Sequence, residues 1–363
     1  MSIIVVPRDF PTIQAAVTAA QQGDLVFVKK GTYHESVNVF NRSIAIIGEK
    51  GATLEGNHSL PFGFRVGHTS ENLASGIEIK GFTIQNYIQS GISIEFCDFA
   101  YCLENVIKNI KNDGIVINQS VFFTNGATHL FQKNKITNIG QNGINVTDPN
   151  INVMIQNEIK EVGKNGININ INQSTIPSNP FNSIIQNKIQ KAGQNGIVSA
   201  QQAFSGLILQ NEIQHTGSDG ISLNNGTMSI IENNVSKSKG NGIRINNPFN
   251  SLYRMNLSFW NAESGISIIS PANVPTQGFN YIEENRTSNN GKDGIQVNQN
   301  NNFISRNKAN ENDDDGIDLD SNDNEVVENI ACNNGNQDIE NNGMGNSFFR
   351  NEDCDCDQDE SSS

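Results

Sequence analysis

Two short apolar–polar alternations recur along most of the chain, in a fixed relation to each other. One reads apolar-x-Asn-x-apolar, as in IQNEI (155–159), IQNKI (185–189) and LQNEI (209–213). The other reads Gly-Ile-x-[Ile/Val/Leu], as in DGISL (219–223), NGIRI (241–245) and DGIDL (315–319). The Asn precedes the Gly by nine residues in nine pairs: Asn105/Gly114, Asn134/Gly143, Asn157/Gly166, Asn187/Gly196, Asn211/Gly220, Asn233/Gly242, Asn256/Gly265, Asn285/Gly294 and Asn307/Gly316. At Asn329 the frame survives as Asp338-Ile339, with the Gly lost. The return from Gly to the next Asn is elastic, from 13 to 21 residues. A fixed half and an elastic half describe one unit of about 22 residues with insertions admitted at one place, which is how a solenoid is built.

Period-2 patterns this short, bounded by Gly and Asn turns, predict strands. No run between Gly76 and Phe349 has helical periodicity long enough to bridge them. Each unit must therefore stack on the next, with parallel neighbours ~4.8 Å apart. The fold predicted is all-β, a right-handed single-stranded parallel β-helix with a short N-terminal capping helix. The position after the repeated Asn runs Lys135, Glu158, Lys188, Glu212, so stacked neighbours carry opposite charge and a one-coil slip is penalised. The Asn itself reads as an inward residue whose amide bonds its copies above and below. The Gly gives the corner either φ > 0 or room for close approach.

In residues 7–31, Ile13, Ala16, Val17 and Ala20 share one helical face, with Pro11-Thr12 to start a helix and Gly23 to stop it. Such a helix would plug the open end of the first coil. Strands are expected at Leu25–Val28, Val37–Val39, Ile44–Ile47 and around Phe64–Val66. The organisation predicted is one β-helix domain over 1–350, with regular coils from 105, and an acidic, mobile tail over 351–363.

Asp9-Phe10-Pro11-Thr12-Ile13-Gln14, Gly23-Asp24, Val28-Lys29 and Gly31-Thr32-Tyr33-x-Glu35 resemble the N-terminal cap of pectinesterases and many bacterial β-helix proteins. The later DGI and NGI coils resemble the repeats of the pectate-lyase-like superfamily. The resemblance implies the fold and leaves the activity open, since lyases, hydrolases, esterases, epimerases and inert scaffolds share it. The polygalacturonase-like and alginate-epimerase-type catalytic motifs are missing; Arg244-Ile245-Asn246 matches only the start of an Arg-Ile-Lys segment.

A net charge of −14 argues against nucleic acid, and makes an acidic polysaccharide a poor partner unless a cation bridges the two. No apolar run approaches 18 residues, so no membrane insertion is expected, and the N-terminus has no recognisable secretory signal. The location is left open, with a cell, spore or virion surface among the candidates. Cys97, Cys102 and Cys332 read as buried small hydrophobes, and Cys354 and Cys356 as exposed thiols in the tail.

Segments 118–129, 170–182 and 269–280 carry the extra residues and leave the coil at one point. The second and third are four coils apart, ~19 Å, and would wall a groove whose floor holds Asp219, Ser222, Asn224, Arg244 and Asn246. In a lyase-like reading Arg244 is the base or charge stabiliser and Asp219 holds Ca²⁺. The plainer alternative is an exposed cross-coil ion pair, worth ~0–1 kcal/mol. Trp260 stands in an otherwise polar column, placed either to stack on a sugar or, in its irregular coil, to pack under a loop. Asp315, Asp318 and Asp320 crowd one coil, as a Ca²⁺ site or as a solvated acidic end. The leading expectation is a non-enzymatic surface or assembly protein that binds a polysaccharide or a surface-layer protein. The alternative is a polysaccharide lyase, epimerase or hydrolase working over Asp219 and Arg244.

Overall fold

The computed structural model describes residues 1–67, 76–118, 128–147, 151–170, 181–270 and 276–354. Most of the three expected loops (119–127, 171–180 and 271–275), together with His68 and Cys356, lie outside them. Two compact units are distinguished, Met1–Ala192 and Gly193–Ser363, where the repeat alone suggested one domain.

In the first unit the strand Ile3–Val6 pairs in parallel with Leu25–Val28, and the helix Ile13–Ala19 lies between them in sequence. Thr12 caps the helix, its hydroxyl accepting from the Ala15 N–H at 3.1 Å. Ile13, Ala16, Val17 and Ala20 are all buried, as the periodicity requires. The two carboxylate oxygens of Glu35 accept the N–H groups of Ile13 and Gln14 at 2.9 Å each, so the Gly-Thr-Tyr-x-Glu segment satisfies the helix N-terminus.

Each later coil runs through three sheets. Thr128–Gln132 lies in sheet A, Lys135–Ile139 in sheet B and Ile144–Val146 in sheet C. The next coil repeats this as Ile151–Ile155, Glu158–Val162 and Ile167–Ile169, every strand parallel to its predecessor. Lys135 faces Glu158 in that register, and their charged groups approach to 3.3 Å, as the charge column predicted. The second unit follows the same plan, with Leu252–Arg254 in sheet A, Leu257–Phe259 in sheet B and Ile266–Ile269 in sheet C. Inward positions are taken by Ile, Val and Leu with essentially no exposure, such as Ile136, Ile159, Ile221 and Leu223.

The repeated Asn is a buried ladder in both units. In the second, Asn211, Asn233, Asn256, Asn285, Asn307 and Asn329 each donate the side-chain amide to the Oδ1 of the next rung at 2.9–3.0 Å. The same Oδ1 also accepts the backbone N–H of the rung before it, so one side chain satisfies two donors. Two further ladders went unread in the sequence. Asn261, Asn290, Asn312 and Asn334 form one, and Asn280, Asn302, Asn324 and Asn346 the other, five residues to either side of the first.

The corners are turned by residues other than Gly. The residue before each ladder Asn, among them Gln156, Gln186, Glu232 and Glu284, has φ between 53° and 57°. So does a second series at the far end of sheet B: Asn138, Glu161, Lys191, His215, Lys237, Trp260, Asn289 and Glu311, with φ between 55° and 58°. The Gly of the Gly-Ile motif serves close approach instead. A Cβ on Gly143 would stand 2.5 Å from Ile159 Cγ2 and 2.6 Å from the Gly166 carbonyl oxygen.

Residues 351–354, which the composition assigned to the tail, carry ordered structure. Asn351 accepts from Asn329 as a further ladder rung, and Glu352–Asp353 pairs with the Ile330–Cys332 strand. Cys354 thereby comes level with Cys332, Cα atoms 5.0 Å apart, and the two are joined in a disulfide. This corrects both expectations: Cys332 is more than a small hydrophobe, and Cys354 is not an exposed thiol. Cys97 and Cys102 are buried, as expected of small hydrophobes.

Candidate functional site

The outward side of sheet C in the second unit carries most of the candidates. Inward Ile221, Leu223, Ile243 and Ile245 fix the strands, and alternation turns Ser222, Asn224, Arg244 and Asn246 outward. Strand register aligns Ser222, Arg244, Ser267, Gln296, Asp318 and Glu340 in one column. Asn224, Asn246, Ile269 and Asn298 form the column beside it, where the Asn246 amide donates to Asn224 Oδ1. Ser222, Asn224, Arg244 and Asn246 make a half-buried strip on this outward side, and most of the loops expected to wall a groove over them lie outside the described residues.

Asp219 does not share that strip. It sits at the corner preceding the strand, 6% exposed, and its Oδ1 accepts from both the backbone N–H and the side-chain amide of Asn241. The corner column continues as a hydrogen-bonded ladder through Asn241, Ser264, Asp293, Asp315 and Gln337. Among the described residues no Asp219–Arg244 ion pair forms, and Arg244 has no hydrogen-bonded partner there. The cross-coil ion pair thus does not form among the described residues, because Asp219 Oδ1 is committed to Asn241 in the neighbouring coil.

Farther along the column the chemistry turns acidic. The Ser267 hydroxyl donates to Gln296 Oε1 at 2.9 Å, and Gln296 Nε2 donates to Asp318 Oδ2 at 3.3 Å. Asp318 is 6% exposed, and its Oδ1 has no hydrogen-bond partner among the described residues. Burial, reinforced by the charges of Asp320 and Asp293, pushes its carboxyl up to about 7. Arg244 lies three coils away, ~14 Å at the sheet spacing, so the two do not form one centre.

The carboxylates that converge are not quite those expected. Asp293, Asp314 and Asp315 bring oxygens within 4.8 Å of one another, whereas Asp318 and Asp320 lie beyond that set. Asp293 and Asp315 are buried and Asp314 is exposed. Burial raises the Asp293 carboxyl above its ordinary value. Asp315 was named from the sequence; Asp293 was missed because it belongs to the previous coil, and its repeat position before Gly294 was the available signal. Hard oxygen donors of this kind suit calcium, although hydrogen bonds to Ser264 and Asn336 already occupy part of their capacity.

Trp260 is 55% exposed at the corner after sheet B, so it is not tucked away. Its ring meets Phe259 edge-on at 5.3 Å, and Lys237 Nζ lies 5.5 Å from its centroid. The strip bearing Arg244 is on sheet C, so Trp260 is a separate feature.

Residues 202–354 match the family described as a right handed beta helix region. The chain is a right-handed parallel β-helix. Solved structures show the same β-helix fold. The A-module of the Azotobacter vinelandii mannuronan C-5 epimerase AlgE6 superposes with a TM-score of 0.63 at 14% identity, covering 93% of each chain. The AlgE4 A-module of the same organism gives 0.53 at 13% identity, over 93% of this β-helix and 94% of that chain. A mannuronic acid specific polysaccharide family 6 lyase from human gut microbiota gives 0.52 at 13% identity, over 96% of this β-helix and 83% of that chain. No match was found among curated proteins. Among the described residues no helix is long and apolar enough to cross a membrane.

Proposed function

We propose that this β-helix is a non-enzymatic glycan-binding protein of a surface or assembly, and that glycan lies along the outward strip of sheet C in the second unit. One observation carries the reading. Arg244 is free of ion pairs among the described residues and is flanked by the hydroxyls of Ser222 and Ser267, with Asn224 and Asn246 alongside. The carboxylate nearest to it in the repeat, Asp219, is occupied with Asn241 and is unsuited to act as its acid–base partner. Hydroxyls, amides and one cation form a hydrogen-bonding surface for sugar hydroxyls, with an acidic group placed near Arg244. Three structures of similar fold carry names that refer to mannuronan or mannuronic acid, which supports a polysaccharide ligand. A glycan array of uronate and neutral polymers tests it: binding should occur, and Arg244→Ala should weaken it by about 1–3 kcal/mol. Absence of binding, or binding indifferent to Arg244→Ala, retires the strip and leaves a neighbouring protein as the partner.

A second reading, a polysaccharide-acting enzyme, draws on Asp318. A buried carboxyl raised to about 7 is suited to proton transfer at neutral pH, and Gln296 orients it. Incubation with mannuronan and pectate, followed by product analysis, tests this reading. Turnover that is lost in Asp318→Asn with the fold intact would replace the binder by an enzyme.

A further inference from the structure

On the far side of the second unit, a cleft of about 530 Å³ opens along sheet B and its ladder corner. Two neighbouring repeat positions build it: the corner residue before the ladder Asn and the first strand residue after it. Four successive coils contribute: Glu232 at the corner of the first, then Met255 and Leu257, then Glu284 and Arg286, then Arg306 and Lys308. Strand register places Leu257, Arg286 and Lys308 directly above one another.

Arg286 and Lys308 are therefore like charges stacked on adjacent strands, an arrangement that costs stability unless an anion lies between them. The corner beside them shows the same coil-to-coil geometry satisfied. Glu284 takes both Arg254, at 3.0 Å, and Arg306, at 3.5 Å, while Arg350 approaches Glu328 at 3.8 Å. Arg286 and Lys308 have no carboxylate partner among the described residues. On a chain of net charge −14 this is a local inversion of sign. The third side of the cleft is apolar, with Met255 39% and Leu257 38% exposed at the end nearest Arg286.

We propose that this cleft is a second binding site, which takes an acidic sugar unit. Its carboxylate sits between Arg286 and Lys308, and the C–H face of its ring rests on Met255 and Leu257. The span suits such a ligand: from Leu257 to Lys308 is two coils, ~10 Å at the sheet spacing. A carboxylate between two exposed cations forms charge-assisted hydrogen bonds, and the apolar end favours a ring over a bare anion. The site is independent of Arg244, which lies on sheet C.

Calorimetric titration with an oligogalacturonate, its carboxyl-reduced neutral counterpart and polyglutamate tests the proposal. The oligogalacturonate should bind, more weakly as salt rises, and Arg286→Ala/Lys308→Ala should weaken it about tenfold or more. The neutral counterpart and polyglutamate should bind far less well. The titrations are run in the Arg244→Ala background, where the sheet C strip is disabled, so that the double substitution reads this cleft alone and its failure is distinguishable from that of the strip. Lys308→Glu adds a control on folding: it should raise the melting temperature of the free protein by pairing with Arg286, and abolish binding. Three results would overturn the proposal: affinity unaffected by the double substitution in a folded variant, equal binding of polyglutamate, or a lowered melting temperature in Lys308→Glu.

Discussion

Asp219 Oδ1 accepts two hydrogen bonds from one residue: the backbone N–H of Asn241 at 2.8 Å and its side-chain amide at 3.1 Å. A carboxylate held this way joins consecutive coils at a corner where the chain must change direction. That oxygen is committed to architecture.

Asp219→Ala should therefore destabilise the protein by about 1 kcal/mol, the cost of leaving the half-buried Asn241 donors without their acceptor. Glycan affinity measured well below the melting temperature should stay at the wild-type value. Loss of affinity with no loss of stability would return Asp219 to the functional site.

The Asn ladder should be more sensitive still. Asn256 has no exposure; its amide donates to Ile230 O at 2.8 Å and Asn285 Oδ1 at 2.9 Å, while its own Oδ1 accepts from Asn233. Asn256→Ala removes one rung and takes partners from Asn233 and the Ile230 carbonyl in one neighbouring coil and from Asn285 in the other. Denaturant unfolding should show a loss of about 1–3 kcal/mol for each group left unsatisfied. A wild-type midpoint would mean that water replaces the rung.

Gly143→Ala tests the close-approach account of the Gly-Ile motif. The new methyl meets the Gly166 carbonyl, which is backbone and cannot rotate aside, and Ile159 behind it. A cost of about 1–3 kcal/mol is expected from overpacking, read as a lowered melting temperature. Gly143 lacks a positive φ, so a neutral result would show that the corner has room the structure does not display.

The parts of this protein that were legible from sequence are those where physics restricts the residue type. A buried rung needs a short amide that both donates and accepts, so Asn105 through Asn329 recur without substitution. A crowded corner excludes a Cβ, so Gly recurs beside it. The αL corners escaped notice because the backbone tolerates Gln156, Glu161 or Trp260 there once the strands on either side fix it, and no composition marks them. The Cys332–Cys354 link did leave a signal: their separation of 22 equals the length of one coil, which places them side by side. The outward faces were least legible. Nothing in a repeat frame says whether an exposed Arg finds a partner, and Arg244, Arg286 and Lys308 are distinguished only by what stands beside them.

Asp318 gives the last prediction. Its carboxyl lies at about 7 in the folded protein, against an ordinary 3.8, because burial and the charges of Asp320 and Asp293 oppose ionisation. The folded state thus keeps a proton that the unfolded chain has released. The stability this confers is fully present below about 3.8 and is lost as the pH rises through about 7. Asp293, also raised by burial, acts in the same direction. The melting temperature should be higher near pH 5 than near pH 8, and Asp318→Asn, which stays neutral, should narrow the difference. Identical pH profiles for wild type and variant would mean that Asp318 is ionised and solvated in the folded state. Calcium offers a separate arm. If Asp293, Asp314 and Asp315 hold a hard cation, calcium near pH 8 should raise the wild-type melting temperature by neutralising the same repulsion, with no effect in Asp293→Asn/Asp315→Asn. Curves unchanged between calcium and chelator would leave protonation as the means by which this coil tolerates its own charge.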